Sequence, residues 1–141
     1  MNHQKSIVPH DTSIIPPILY GTAWKEDNTK RFALQALEAG FRGIDTANQR
    51  KHYFEEAVGD AIQQFLITSQ ETRSDLFIQT KCTSVHGQDH RQPYDESASF
   101  TNQVKQSFAS SLDHLQTDYI DSFILHGPSR FHGIIDADLE I

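Results

Sequence analysis

Asp45, Tyr53, Lys81 and His126 supply a carboxylate, a phenol, an amine and an imidazole, four groups able to hold and move a proton. Three of them close short apolar runs: Gly43-Ile44-Asp45, Leu76-Phe77-Ile78-Gln79-Thr80-Lys81, and Ile120-Asp121-Ser122-Phe123-Ile124-Leu125-His126. Tyr53 lies just past the first run. If the runs are parallel strands of one sheet, their C-terminal ends share a rim and the four side chains converge there. A phenol is a weak acid, with a reference pKa of about 10. A neighbouring ammonium favours the phenolate and eases proton donation. A carboxylate beside the ammonium keeps it charged and oriented, and an imidazole can hydrogen-bond the carbonyl oxygen that receives the proton.

The segments around these residues alternate in period. Ile18-Leu19-Tyr20-Gly21-Thr22 reads as a first strand, entered through Pro16-Pro17, which cannot donate ladder hydrogen bonds. Asp27-Asn28-Thr29 offers N-caps for a helix whose apolar residues Phe32, Ala33, Ala36 and Leu37 recur at helical spacing, with Gly40 as its C-cap. Gly43 to Asp45 is the second strand. Phe54 to Thr68 carries a stripe of Ala57/Val58, Ala61/Ile62 and Phe65/Leu66. Polar residues 69–75 lead to a third strand, Leu76 to Thr80. From Thr83 to about Asp95 the chain is polar and aperiodic; a loop of that length in a compact domain is usually functional or disordered. The helix expected from Glu96 to Leu115 repeats Phe100, Val104, Phe108, Leu112 and Leu115, a stripe read as core. Tyr119 to Leu125 is the fourth strand.

This strand–helix alternation predicts an α/β fold with a parallel sheet. A dinucleotide-binding doubly wound fold would want a Gly-x-Gly-x-x-Gly turn after the first strand, and Gly21-Thr22-Ala23-Trp24 offers one glycine. Polar groups at the C-terminal ends of several strands fit a (β/α)8 TIM barrel better, and such a barrel needs about 250 residues. With 141 residues and about four strand–helix units, the chain reads as the truncated N-terminal half of one. Residues 1–13 are expected to be a polar N-terminal segment and 14–141 a partial domain.

The net charge of −7, spread along the chain, argues against nucleic acid and against an anionic membrane surface, both of which select basic patches. No run reaches the roughly 18 apolar residues of a membrane span, and no signal-peptide pattern opens the chain. One cysteine, Cys82, leaves no internal disulfide and fits a reducing compartment, so a soluble cytoplasmic protein is expected.

Four motifs, in order, resemble the aldo-keto reductase family, in a branch with a longer loop before the tyrosine. Gly40-Phe41-Arg42-Gly43-Ile44-Asp45-Thr46-Ala47 is similar to its Gly-[Tyr/Phe]-Arg-x-Ile-Asp-Thr-Ala signature, and Tyr53-Phe54-Glu55-Glu56-Ala57-Val58-Gly59 to the stretch that continues it. The runs ending at Lys81 and at His126-Gly127-Pro128 resemble the strands carrying the family's lysine and histidine. Many relatives place the tyrosine five residues after the aspartate, where this chain has Arg50; the downstream Glu and Val-Gly register favours Tyr53, eight residues on.

The resemblance implies NADPH-dependent reduction of an aldehyde or ketone, a small-molecule carbonyl substrate. Tyr53 would deliver the proton, Lys81 lower its pKa, Asp45 pair with Lys81, and His126 orient the substrate carbonyl. Gly21, Thr22 and Asp45 would approach the nicotinamide ribose, and Trp24 would wall the pocket unless it is core. The family's pyrophosphate and adenosine-phosphate clamp would fall outside this chain.

The remaining chemistry-bearing residues read more plainly. His86, Asp89 and His90 share a loop, but zinc sites ask for a further placed ligand, so a solvated polar loop is favoured and no metal is expected. Cys82, next to Lys81, lacks a base and an orienting partner and reads as an inert thiol. Two rival readings stand beside the reductase. One is a catalytically inactive fragment that lacks the cofactor clamp. The other is a half-barrel interaction module that self-associates or pairs with a complementing C-terminal half, because the first and fourth strands would be open edges.

Overall fold

Four parallel strands with helices between them make up the described residues, 15–129 and 133–140, of the computed structural model. The expected N-terminal segment 1–13 lies outside the described residues. The strands are β1 (Tyr20–Gly21), β2 (Gly43–Asp45), β3 (Phe77–Cys82) and β4 (Ser122–Leu125), and they lie in the order β1-β2-β3-β4. The helices are α1 (Thr29–Glu38), α2 (Glu55–Thr68), α3 (Phe100–Leu115) and the short α4 (Asp136–Leu139). All three strand pairs are parallel, with Ile44 opposite Ile78 and Gln79 opposite Ser122. The parallel α/β sheet is therefore as the alternation predicts, and β1 and β4 are its edges. No helix among the described residues is long and apolar enough to cross a membrane.

Strand period two divides the sheet into unlike faces. Ile44 and Ile78 point to the helices and join Leu37, Val58, Ile62, Phe65, Leu76 and Leu115 in one buried cluster. Each such side chain contributes about 1.5–3 kcal/mol by leaving water. The other face is polar. Gln79 Nε2 donates to Asp45 Oδ1 at 2.7 Å, and Ser122 Oγ donates to Gln79 Oε1 at 2.9 Å, a line of hydrogen bonds across three strands.

Helix ends follow local chemistry. Gly40, at φ +104°, closes α1 in a Schellman motif: its N–H reaches Leu37 O at 3.1 Å and that of Phe41 reaches Ala36 O at 3.0 Å. Gly59 lets α2 and α3 touch, since a Cβ there would stand 2.0 Å from His114 O.

Several boundaries differ from expectation. β1 is two residues long because the preceding segment folds over β2 instead of pairing with it. A Cβ on Gly43 would meet Leu19 Cδ2 at 2.2 Å and Pro16 Cγ at 2.7 Å. α3 starts at Phe100 because Asp95 Oδ1 accepts from the N–H and hydroxyl of Ser97, holding 95–98 as a separate turn before the Ser99 cap. β4 starts at Ser122 because the Asp121 carboxylate takes the Ile78 N–H at 2.8 Å. The α3 stripe is also less central than expected. Phe100, Phe108 and Leu112 are half-buried, whereas Gln103, Ser107 and Ser111 form the polar line that is buried beside Val104 and Leu115.

Candidate active site

The C-terminal ends of the strands carry the expected quartet on one rim. Asp45 ends β2 and Lys81 sits one residue before the end of β3, both on the polar face. Lys81 Nζ donates to Asp45 Oδ1 and Oδ2 at 2.7 and 2.8 Å and to Thr46 O at 2.8 Å. The loop 46–54 then turns back. Tyr53 N–H donates to Gln49 O at 2.9 Å, which swings the phenol over the rim with Lys81 Nζ 5.2 Å from its ring centroid. His126, just past β4, is anchored by its N–H on Cys82 O at 2.8 Å, and Gly127 at φ +92° turns the chain away after it. The Tyr53 and His126 rings meet edge to face with centroids 6.0 Å apart. Thr83 Oγ1 lies 2.9 Å from His126 Nδ1.

The electrostatics differ from expectation at one point. The sequence reading has Lys81 lowering the Tyr53 pKa, yet burial first, and then the Asp45 carboxylate, push the phenol above its ordinary value. The physical reason is the ion pair itself: with both Asp45 oxygens on the ammonium, the Lys81 charge is largely offset at the phenol. Tyr53 is therefore a protonated phenol at neutral pH. His126 is pushed below the usual imidazole range, chiefly by burial and next by the Lys81 charge, and so is neutral at pH 7.

A cleft of about 520 Å3 opens beside these groups, lined by Trp24, His52, Tyr53, Thr83, His86 and His126 among others. Trp24 is 70% exposed, so it walls the cleft and is not core. Its ring lies on the His52 ring at 4.0 Å between centroids, and the Trp24 backbone N–H donates to His52 O at 2.8 Å. Arg50, at the spacing more usual for the tyrosine, stacks its guanidinium 3.8 Å over the Phe54 ring instead.

Gly21 leaves open space where a Cβ would stand. Thr22 does not present its side chain: it is 1% exposed and its hydroxyl donates to Asp45 O at 2.9 Å, tying β1 to β2. Cys82 is buried, and burial raises its thiol pKa, the reverse of activation. Among the described residues no cluster of three or more His, Cys, Asp or Glu is placed to hold a metal. Asp89 pairs with Arg91.

Two polar arrangements went unread in the sequence. Asn48 Nδ2 donates to Ser107 O and to the hydroxyls of Ser110 and Ser111 at 3.1–3.2 Å, pinning the Tyr53 loop to α3. The serines at helical spacing on α3 were the available signal. Buried Glu55 accepts from Thr80 and Ser111 and binds His114 Nδ1 at 2.9 Å, raising the His114 pKa. Ser110 Oγ lies 3.4 Å from His114 Nε2, giving a Ser–His–Glu line. Ser110 is in mid-helix, however, where backbone amides already serve the helix, so no oxyanion hole faces it. The line holds α2, β3 and α3 together.

The family model of the aldo/keto reductase family matches residues 18–137. The chain belongs to the aldo/keto reductase family. It is 33% identical over 125 residues to prostaglandin F synthase 1 from Bos taurus, covering 84% of this chain and 34% of that protein. It is 34% identical over 120 residues to a methylglyoxal reductase from Escherichia coli (strain K12), covering 84% and 36%. Among solved structures, a Bombyx mori aldo-keto reductase in complex with NADP superposes with a TM-score of 0.63 at 29% identity, over 81% of this chain and 35% of that one. The chain thus spans about a third of the length of the relatives it matches, and its four strand–helix units correspond to part of a (β/α)8 barrel.

Proposed function

We propose that this chain carries the proton-handling side of an NADPH-dependent reduction of an aldehyde or ketone to an alcohol. The observation that carries this reading is the Tyr53 phenol, set between the Asp45–Lys81 pair and the His126 ring at the mouth of a cleft. Tyr53 keeps its proton at neutral pH and has no hydrogen-bond partner among the described residues, so its hydroxyl is available to a substrate oxygen. As charge develops on that oxygen, Tyr53 donates its proton. Asp45 holds the Lys81 ammonium beside the phenolate left behind, 5.2 Å from its ring centroid. Neutral His126 hydrogen-bonds the same oxygen and orients the carbonyl.

The residues present suit one end of NADPH. The open space over Gly21 and the Asp45 carboxylate fit the nicotinamide and its ribose, whereas among the described residues no lysine or arginine lines the cleft to meet the phosphates. When bound, the cofactor supplies the hydride. We assign the binding side on this chain to Gly21, Asp45 and Trp24, with Thr22 acting through its backbone. A cytoplasmic setting is part of the proposal and rests on the single cysteine.

A second reading has its own support. Among the described residues both sheet edges are open, and Ile124 is 37% exposed in β4 at the rim of the polar face, so a self-associating or complemented half-barrel fits the same surface. Titration of NADPH by its fluorescence, followed by its consumption with a generic aldehyde, separates the two. Binding with turnover that is lost in Tyr53→Phe supports the reductase; no binding at millimolar cofactor supports the interaction module or an inactive fragment.

A further inference from the structure

Thr83 begins the long polar loop of 83–95, a segment that the proton chemistry above leaves without a task. Its side chain is buried, the residue being 3% exposed, and its hydroxyl oxygen stands 2.9 Å from His126 Nδ1. Among the described residues that oxygen has no other hydrogen-bond partner. A hydroxyl carries one hydrogen to donate, and a buried donor left unmade is costly. The Thr83 O–H therefore donates to Nδ1, which must present its lone pair, and the neutral ring carries its proton on Nε2.

The loop is built to keep that hydroxyl aimed. Thr83 O accepts from Tyr94 Oη at 2.6 Å and from Gln88 Nε2 at 3.3 Å, two bonds from further along the same loop. A Cβ on Gly87 would stand 2.5 Å from Thr83 Cγ2, so the glycine makes room for the threonine methyl and fixes the side chain from the opposite side. His126 is held independently through its N–H on Cys82 O at 2.8 Å.

We propose that Thr83 is a positioning residue that sets the tautomer of His126, keeping the ring proton on Nε2, and that loop 83–95 is the brace that holds Thr83 in place. Nε2 is the ring nitrogen with no protein partner among the described residues, and His126 lines the cleft beside Tyr53. With the proton there, the ring donates to a carbonyl oxygen; with the other tautomer, two lone pairs would face each other. The consequence for substrate rests on the proposed carbonyl reduction, whereas the tautomer itself does not.

The test is nitrogen NMR on the full chain with 15N-labelled histidine, the His126 signals being assigned by their loss in His126→Gln. The wild-type ring is expected to be dominantly the Nε2–H form. Thr83→Val, of similar shape without the hydroxyl, is expected to give a mixture of tautomers and about a tenfold lower kcat for aldehyde reduction. Thr83→Ser is expected to keep both at wild-type values. Thr83→Ala serves as the second hydroxyl-free variant if the amide spectrum shows that valine disturbs the fold. A wild-type proton on Nδ1, or an unchanged tautomer population in a folded hydroxyl-free variant, overturns the proposal. The nitrogen shifts need neither NADPH nor turnover. A hydroxyl-dependent tautomer in a chain without reductase activity would support the role of Thr83 and overturn the proposed function alone.

Discussion

The two ends of the sheet handle charge in opposite ways. At the N-terminal end, Arg73 places its guanidinium on Leu76 O, Tyr119 O and the Asp121 carboxylate at 2.7–3.0 Å, and Nε on Thr117 Oγ1 at 3.0 Å. Asp121 in turn accepts the Ile78 N–H, and Arg42 pairs with Glu71. The charged groups there face one another and hold chain ends together. At the C-terminal end, Lys81 and Asp45 are also paired, but among the described residues the Tyr53 hydroxyl and His126 Nε2 are left over, beside a cleft. The lesson is that a built site differs from a structural lock less in its ion pair than in the unpaired polar atoms next to it.

The largest effect expected from this contrast is on turnover. Tyr53→Phe should lower kcat by roughly 10²–10⁴-fold while leaving the denaturant midpoint near wild type, because the hydroxyl has no hydrogen-bond partner among the described residues. A large loss of stability in this variant would break the comparison. At the other end, Asp121→Ala should cost about 3 kcal/mol in denaturant unfolding, since it strands the Arg73 charge and the Ile78 amide. Its Km and kcat, measured on the folded fraction, should stay put.

Lys81→Met sharpens the contrast, because Lys81 serves both purposes. It should lower turnover and also destabilise by about 1–3 kcal/mol by leaving Asp45 without its ammonium. A variant that loses activity with no change in stability would place Lys81 wholly on the catalytic side.

The smallest expected effect is a pH dependence between the two ends. The Glu55 carboxylate, first among several acidic neighbours, raises the His114 pKa above its unfolded value of about 6.5. The stabilisation is fully present below that unfolded value and fades as pH rises through the folded one. Chemical denaturation from pH 6 to pH 9 should show a decline that His114→Gln flattens.

How much of this was legible in the sequence depended on whether the signal was local. Element order, the Gly40 helix end and β2 were legible because glycine chemistry and hydrophobic periodicity act within a few residues. The rim quartet was legible because parallel strands place their C-terminal ends together whatever lies between. The start of β4 was not, since it depends on the Asp121 side chain replacing a ladder partner on a strand 43 residues away in sequence. The α3 stripe misled for a related reason. Phe108 is half-buried against Phe123 of the edge strand, in an edge-to-face contact at 5.0 Å, while Ser107 and Ser111 are buried with partners on the Tyr53 loop and α2. The upward direction of the Tyr53 pKa depends first on burial of the phenol and then on the nearby Asp45 carboxylate, neither of which spacing reveals.

Trp24 is the only tryptophan in the chain, and it stands at the cleft mouth with its indole against an imidazole. Tryptophan emission from this protein therefore arises from a single place, the entrance to the site. Arrival of an aromatic guest should quench it, giving a label-free optical gauge of cleft occupancy.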